Sequence, residues 1–305
     1  MSSRRFIALG TASQVPTRER NHNGYFLRWD AEGFLFDPGE GTQRQMIFAD
    51  VSASNITKIF ITHFHGDHCL GLAGVLQRIS LDRVPHTVRV FYPASGEKYI
   101  ENLTNASIYY NAAKIERVPI IAEGIIFRGQ DYVIESYQLD HTAESWGYRI
   151  IENDSISLLP EKLQEFGICG PKIGQLKIEG SVEIGGKTIS VEDCGIKKRG
   201  QSFAFVMDTR LCKNAYRLAE EVDLLVCEST YLSTETTEAG ANGHLTSKQA
   251  AAIANEANAD LLVLTHFSQR YQNTQDFLME AQTIHQNTVA VKDGDFVDLP
   301  RKNNL

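Results

Sequence analysis

Three histidines and an aspartate fall within six residues, His63-Phe64-His65-Gly66-Asp67-His68, directly after the apolar run Ile59-Phe60-Ile61-Thr62. A β-branched apolar run of this kind reads as a buried strand, so the chain places four ionisable side chains at the mouth of its core. Left without counter-charges or a cation, such a cluster would crowd repelling or unsatisfied polar groups there. In extended backbone alternate side chains share a face, so His63 and His65 point the same way. The turn allowed by Gly66 then brings Asp67 and His68 round to a neighbouring point. The spacing therefore predicts one ion held by the first pair and a second by the other. Imidazole nitrogen and carboxylate oxygen suit zinc, and a catalytic zinc keeps one position open. Two ions about 3.5–4 Å apart can together activate a water and stabilise a displaced oxygen.

The remaining ligands must come from far along the chain, and the candidates are His141, Asp208 and His266, each at the end of an apolar strand. Taken singly, each fits a capping or core role as well as ligation, and it is the first cluster that raises them. Asp208 is placed to bridge both ions. His22, His86 and His285 have no comparable support and read as surface or satisfied histidines. Short strands are predicted at 6–9, 24–29, 34–37, 58–62, 87–92 and 131–139, and resume at 203–207, 222–227 and 261–264. Helices are predicted at 42–49, from His68 to Ile79, and at 95–106, 212–219, 246–257 and 273–285, with Thr246 as an N-cap. The last three strands end beside Asp208, Glu228 and His266, where a rigid scaffold meets an exposed loop.

The chain has 305 residues, 42% hydrophobic and 22% charged, the make-up of an ordinary folded protein with a sizeable core. Met1 to Arg5 lead straight into a first strand, and nothing approaches the roughly 18 apolar residues of a membrane span. No membrane association is expected, and the protein is expected to be cytoplasmic. The five cysteines are scattered without C-x-x-C spacing, which fits reduced thiols better than a disulfide framework. A formal charge of -8 argues against a protein that coats nucleic acid non-specifically, and leaves room for a local basic site.

The segment 152–200 interrupts the pattern. It holds eight of the 23 glycines and few long apolar runs, and on composition alone reads as a disordered or surface insertion, an arm. From Ile151 to Gly200 there are seven Lys or Arg against eight Asp or Glu, so the segment is not basic as a whole. Lys172 with Lys177, and Lys197-Lys198-Arg199, form its local positive groups.

H-x-H-x-D-H resembles the signature of the metallo-β-lactamase superfamily, and the rest of the chain resembles the ribonuclease Z family of tRNA 3′-processing endonucleases nearly end to end. Leu9-Gly10-Thr11, Pro16, Arg20-Asn21 and Asp37-Pro38-Gly39-Glu40-Gly41-Thr42-Gln43 are similar to the family's amino-terminal pattern. His141 before Trp146-Gly147-Tyr148-Arg149, Asp208-Thr209, Gly243-His244-Leu245-Thr246 and Thr265-His266-Phe267-Ser268-Gln269-Arg270-Tyr271 follow in the family's order.

The resemblance implies one α/β domain over 1–305, a four-layer αββα sandwich with metals at one edge and a flexible exosite arm inserted at about 152–200. It implies two Zn2+ per subunit: His63, His65 and His141 on one, Asp67, His68 and His266 on the other, Asp208 bridging. Asp67 is implied as proton acceptor for the attacking water, His244 as donor to the leaving 3′ oxygen, and Glu228 as the residue that orients His244. Cys227 stands where the family usually has His, which puts a relay through that position in doubt, and Trp146 departs without expected consequence. Gly170-Pro171, Lys172, Gly174, Leu176 and Lys177 resemble the arm's glycine-proline motif, which clamps RNA away from the cut. Arg270 and Tyr271 are candidates to hold a phosphate and stack a base, with helix entry as the competing role. The implied partner is precursor tRNA, and the implied assembly a homodimer.

Three functions compete. The first is removal of the 3′ trailer from precursor tRNA; the second is hydrolysis of a small phosphodiester, thioester, lactone or sulfate ester with the same metals. The third is RNA binding without catalysis, which would not need the ligand set and His244. The arm and the G-E-G-T-Q loop separate the first from the second.

Overall fold

The computed structural model describes residues 4–300. In chain order, β1 (Arg4–Gly10), β2 (Gly24–Trp29), β3 (Glu32–Phe36), β4 (Lys58–Phe60), β5 (Thr87–Pro93) and β6 (Lys114–Ile120) build most of one sheet. β7 (Gly124–Arg128), β8 (Tyr132–Leu139) and β9 (Ser145–Glu152) open the second. An insertion follows: β10 (Ser155–Leu158), β11 (Ser181–Ile184), β12 (Lys187–Ser190) and β13 (Gly195–Lys198). β14 (Ser202–Val206), β15 (Leu224–Glu228), β16 (Leu261–Thr265) and β17 (Thr288–Ala290) then complete the second sheet, and β18 (Phe296–Asp298) returns to the edge of the first.

Side-chain alternation explains the layering. In β14, Phe203 and Phe205 point to one face while Ala204 and Val206 point to the other. The first pair joins Phe6, Tyr25, Phe36, Phe60 and Tyr148 in an aromatic core between the sheets. The second pair meets Ala215, Leu218, Ala250, Ile253 and Phe277 of the helices on the outside. Phe36 stacks on Phe60 at 4.8 Å and Phe60 on Phe91 at 5.0 Å, so the inner layer is largely ring against ring. Over the first sheet lie α1 (Thr42–Phe48), α2 (Gly66–Cys69), α3 (Leu72–Leu81) and α4 (Glu97–Thr104), which bury Met46, Leu72, Val75, Leu76, Ile79 and Ile100 against Leu9, Leu35, Ile59 and Val90. The four-layer α/β/β/α arrangement expected from the sequence is present.

The insertion is folded, so of the two readings its composition allowed, a disordered or a surface insertion, the first is corrected and the second holds. α5 (Pro160–Glu165), α6 (Pro171–Glu179) and the loop between them pack Leu163, Leu176 and Ile168 onto Val182, Ile189 and Cys194. β11 and β12 form a hairpin whose turn, Gly185-Gly186, has φ of 56° and 79°, the left-handed pair that a two-residue turn of matching twist demands. The polar composition conceals this core because few residues face it.

β9 and β14 are antiparallel neighbours, with Ile151 opposite Ser202, and the insertion occupies the place of the turn between them. Over the second sheet lie α7 (Lys213–Ala219), α8 (Thr236–Asn242), α9 (Ser247–Glu256) and α10 (Gln275–Gln282). Thr246 caps α9, with Gln249 closing a capping box as its position predicts. Among the described residues no helix is long and apolar enough to cross a membrane.

Candidate metal centre

The carboxyl-terminal ends of strands from both sheets converge on one edge. His63 and His65 follow β4, Asp208 follows β14, Glu228 ends β15 and His266 follows β16. Asp37, Asp208 and His266 have φ of 43°, 44° and 62°, left-handed values that non-glycine residues rarely adopt. Asp30, Asp50, Arg83, Glu221 and Asn258 do the same in turns, but at these three the backbone aims a side chain into the site.

The side chains form two convergent sets. His63, His65, His141 and Asp208 present ligand atoms within 4.8 Å of one another, and so do Asp67, His68 and His266. His65 Nδ1 lies 2.9 Å from His63 Nε2 and 3.2 Å from His141 Nε2. Nitrogens bound tetrahedrally to one zinc would stand about 3.3 Å apart, given bonds of about 2.0–2.1 Å. Asp208 links the sets: its Oδ2 is 3.5 Å from His63 Nε2 and 3.3 Å from His68 Nε2, and its Oδ1 is 3.1 Å from His266 Nε2.

Hydrogen bonds behind the ring fix which nitrogen of each histidine carries the proton. The Thr62 hydroxyl donates to Asp37 Oδ2 at 2.7 Å, so at 3.0 Å it can only accept from His63 Nδ1. Thr230 donates to Glu228 at 2.6 Å and therefore accepts from His266 Nδ1 at 2.7 Å. His68 Nδ1 donates to Asp37 at 2.9 Å, and His141 Nδ1 to the Gly243 carbonyl at 2.8 Å. In all four rings Nδ1 is thus committed to a hydrogen bond and Nε2 faces the centre, which makes Nε2 the atom available to a metal.

Of the four buried side-chain atoms without a hydrogen-bond partner among the described residues, two lie here, Asp208 Oδ1 and His266 Nε2. Orphaned lone pairs at the junction of two converging donor sets are what a pair of cations would satisfy. The donor set, imidazole and carboxylate without thiolate, fits zinc and related divalent ions.

Electrostatics agree. Burial, aided by neighbouring histidines, holds His63 well below the usual imidazole range, and burial lowers His65 and His141 against the pull of Asp208. Burial would also lower His68, yet Asp208, Asp67 and Asp37 outweigh it and favour positive charge there. That charge can be met by a proton or by a cation between the ligands. Burial alone would raise Asp67 and Asp208, but the surrounding imidazoles hold both far below the usual carboxylate range.

Beside this cluster His244 Nδ1 donates to Glu228 Oε1 at 3.1 Å and lies 4.0 Å from Asp208 Oδ2. Glu228 is fully buried and also accepts from the Thr209 amide at 2.8 Å. Burial works against the His244 proton, but Glu228 and Asp208 hold it up to about 9. Cys227 explains itself by strand alternation. It is buried in the outer core under the helices, so its side chain is turned away from the site and no relay runs through it. His65, Asp67, His141, Asp208, His244 and Arg270 line a cleft of about 420 Å³ with Ser13, Gln14, Tyr231 and Ser268.

Some expectations are revised. Tyr271 does not offer its ring to a base: it packs edge-on to Phe277 at 4.8 Å and its hydroxyl accepts from the Leu232 amide at 3.2 Å. Arg270 does border the cleft, paired with Glu235 and lying over the Tyr231 ring at 5.0 Å. Lys172 and Lys177 are exposed on α6, in the insertion, whose buried side chains form a cluster of their own. The Gly39-Glu40-Gly41-Thr42-Gln43 loop is a buttress: a Cβ on Gly39 would sit 2.1 Å from the Asp67 carbonyl, so only glycine lets this loop support the ligand turn. His22, His86 and His285 bond to Gln14, Ile56 and Ala259 carbonyls, as satisfied histidines do.

Sequence reasoning passed over Arg210 and Asn23. Arg210 reaches the Gly240 carbonyl at 2.6 Å and Asp140 at 3.0 Å, tying together the approaches to Asp208, His141 and His244. Its place two residues after Asp208 was the one available signal. Asn23 touches Asp67 and His68 from a loop 40 or more residues earlier in the chain.

The family model of the Metallo-beta-lactamase superfamily matches residues 17–142. The chain is 52% identical over 282 residues to the Ribonuclease Z of Streptomyces avermitilis, covering 92% of each, and 47% identical over 293 residues to that of Protochlamydia amoebophila, covering 96% of each. The chain belongs to the ribonuclease Z family. Among solved structures, the short form of human tRNase Z superposes with a TM-score of 0.71 at 25% identity, over 97% of this chain and 99% of the human one. This ribonuclease Z family member thus shares its relatives' fold along nearly its whole length.

Proposed function

We propose that this chain removes the 3′ trailer of precursor tRNA, hydrolysing the phosphodiester after the discriminator nucleotide and leaving a 3′-hydroxyl on the RNA. The observation that carries this reading is the junction of the two donor sets, with Asp208 Oδ1 and His266 Nε2 orphaned and the Glu228–His244 pair alongside, in a chain whose relatives bear the name Ribonuclease Z. His63, His65 and His141 would hold one zinc, Asp67, His68 and His266 a second, and Asp208 both. Bound there, the ions supply Lewis acidity toward the phosphoryl oxygen and make water acidic enough to ionise near neutral pH.

The chain's own groups do the rest. Asp67, ionised and bordering the cleft, takes the proton of the attacking water. Glu228, buried against its Nδ1, holds a proton on His244, up to about 9 in the metal-free protein, and His244 gives its proton to the departing 3′ oxygen. Arg270 offers a cation at the cleft rim for a phosphate next to the cut. Lys172 and Lys177 contact the RNA at a distance. The insertion is rooted where Ile151 meets Ser202, at the end of β14 remote from Asp208, roughly 20 Å away at about 3.3 Å per residue. That root favours a homodimer in which one subunit's arm serves its partner's cleft. Cytoplasmic residence completes the reading.

The test is incubation of the purified protein with a precursor tRNA bearing a 3′ trailer, with the product ends mapped and Asp67→Ala as control. Cleavage after the discriminator is expected from the parent only. Uncut precursor together with turnover of bis(p-nitrophenyl) phosphate would replace this reading by that of a small-ester hydrolase.

A further inference from the structure

Asn23 and Tyr25 form a buried hydrogen-bonded pair directly beneath the metal-facing carboxylate of Asp67. The Asn23 side chain is fully buried, and its Nδ2 lies 3.3 Å from Asp67 Oδ2 and 3.2 Å from His68 Nε2. An amide can be read in two orientations from heavy atoms alone, and the network decides between them. The Tyr25 hydroxyl donates to Asn23 Oδ1 at 2.6 Å. With that proton committed, its 2.9 Å contact with the Thr265 hydroxyl has Thr265 as donor. Asn23 therefore turns its NH2 to Asp67.

The oxygen it meets is the one that faces the ligand set, since Asp67 Oδ2 is also 3.2 Å from His68 Nε2 and 3.6 Å from His266 Nε2. We infer that Asn23, held by Tyr25, is a positioning residue that fixes Asp67 Oδ2 on the ligand side and thereby leaves the other carboxylate oxygen as the one that takes the proton. A carboxylate asked both to ligate and to accept a proton needs its two oxygens kept distinct, and a free rotation of the group would exchange them. The chain of contacts Thr265–Tyr25–Asn23–Asp67 also crosses from the second sheet to the first. It locks His266, the neighbour of Thr265, in register with Asp67 and His68. Tyr25 itself is fixed by stacking on Phe6 at 5.8 Å and by an edge contact to Phe205 at 5.3 Å.

The inference rests on the role given to Asp67 under the proposed function, and the experiment separates the two. Tyr25→Phe keeps the ring and its packing and removes only the hydroxyl; Asn23→Ala removes the amide. Outer-shell partners of metal ligands are worth about 10–100-fold in affinity or activity. In the zinc-loaded protein with precursor tRNA, Tyr25→Phe is expected to lower kcat about tenfold with KM within about twofold, and Asn23→Ala to lower it more. Zinc release to a chromogenic chelator is expected to quicken for one of the two ions in Asn23→Ala, with the melting temperature of Tyr25→Phe lowered by a few degrees for the buried partners it strands. Parent-like kcat and parent-like zinc release in both variants, with Asp67→Ala inactive, would overturn this inference and leave the proposed function standing. An active Asp67→Ala would remove the reading on which it rests.

Discussion

In the cleft each metal-facing histidine but one is gripped from behind, by Thr62, Asp37, Thr230 or the Gly243 carbonyl; in the insertion, Lys172 and Lys177 stand exposed on a short helix over a core of six buried side chains. The cleft is built from strand ends of both sheets, the insertion from a detour between two adjacent strands. Chemistry at a phosphorus needs donors fixed to fractions of an ångström, which close packing supplies. Recognition of a large folded RNA needs reach, for which a small, separately packed unit at a sheet's far end is suited.

This contrast can be broken from the cleft side first. Asp208→Ala is expected to abolish trailer removal, with a loss of about 10³-fold or more if several kcal/mol of transition-state stabilisation go with the ions. Elemental analysis should find less than the parental metal content. Full zinc occupancy in this variant would show that Asp208 is no bridge.

Next in size is His244→Asn, expected to lower kcat by about 10²–10⁴-fold at nearly constant KM. A substrate whose leaving group needs no proton, such as p-nitrophenyl thymidine phosphate, should recover most of the loss. Equal losses on both substrates would deny His244 the role of acid.

The arm should behave in the opposite way. Lys172→Ala with Lys177→Ala is expected to raise KM for precursor tRNA severalfold, to leave kcat alone, and to reduce the slope of log affinity against log salt by about one per lysine. Turnover of bis(p-nitrophenyl) phosphate should not change. A fall in that turnover would mean that arm and cleft are not separable.

The smallest effect is on stability. In the metal-free protein His244 is held up to about 9 against an ordinary 6.5, so its pairing stabilises the fold fully below 6.5 and the benefit is lost as pH rises through 9. The melting temperature of chelator-treated protein should fall across that window, and His244→Asn should flatten the fall. An unchanged slope would show that the pair contributes nothing to folding.

The ligand run, the strand-end residues and most helices were legible because each has a local signature, whether ligand chemistry in six residues, apolar runs before a polar residue, or a capping box. β6 and β7 escaped because they are largely exposed, with Lys114, Glu116, Arg117 and Arg128 breaking the alternation that marks a half-buried strand. The arm escaped because a core of six residues scattered from 163 to 194 leaves no periodic trace. Asn23 and Arg210 escaped for a different reason. What they do depends on atoms that only folding brings near, and a lone polar residue in a loop says nothing of its partner. Tyr271 shows the converse error, an aromatic beside a ligand whose ring the core claims.

The left-handed backbone at Asp37, Asp208 and His266 carries a penalty on the order of 1 kcal/mol or more at each residue. Burying Asp208 and Asp67 side by side adds to it. A chain so built is least at ease when its donors have nothing to hold, and whatever binds them selects the folded form by mass action. Scarcity of the ion would then shorten the protein's lifetime as well as idle its chemistry, so the amount of enzyme in a cell would follow the supply of metal.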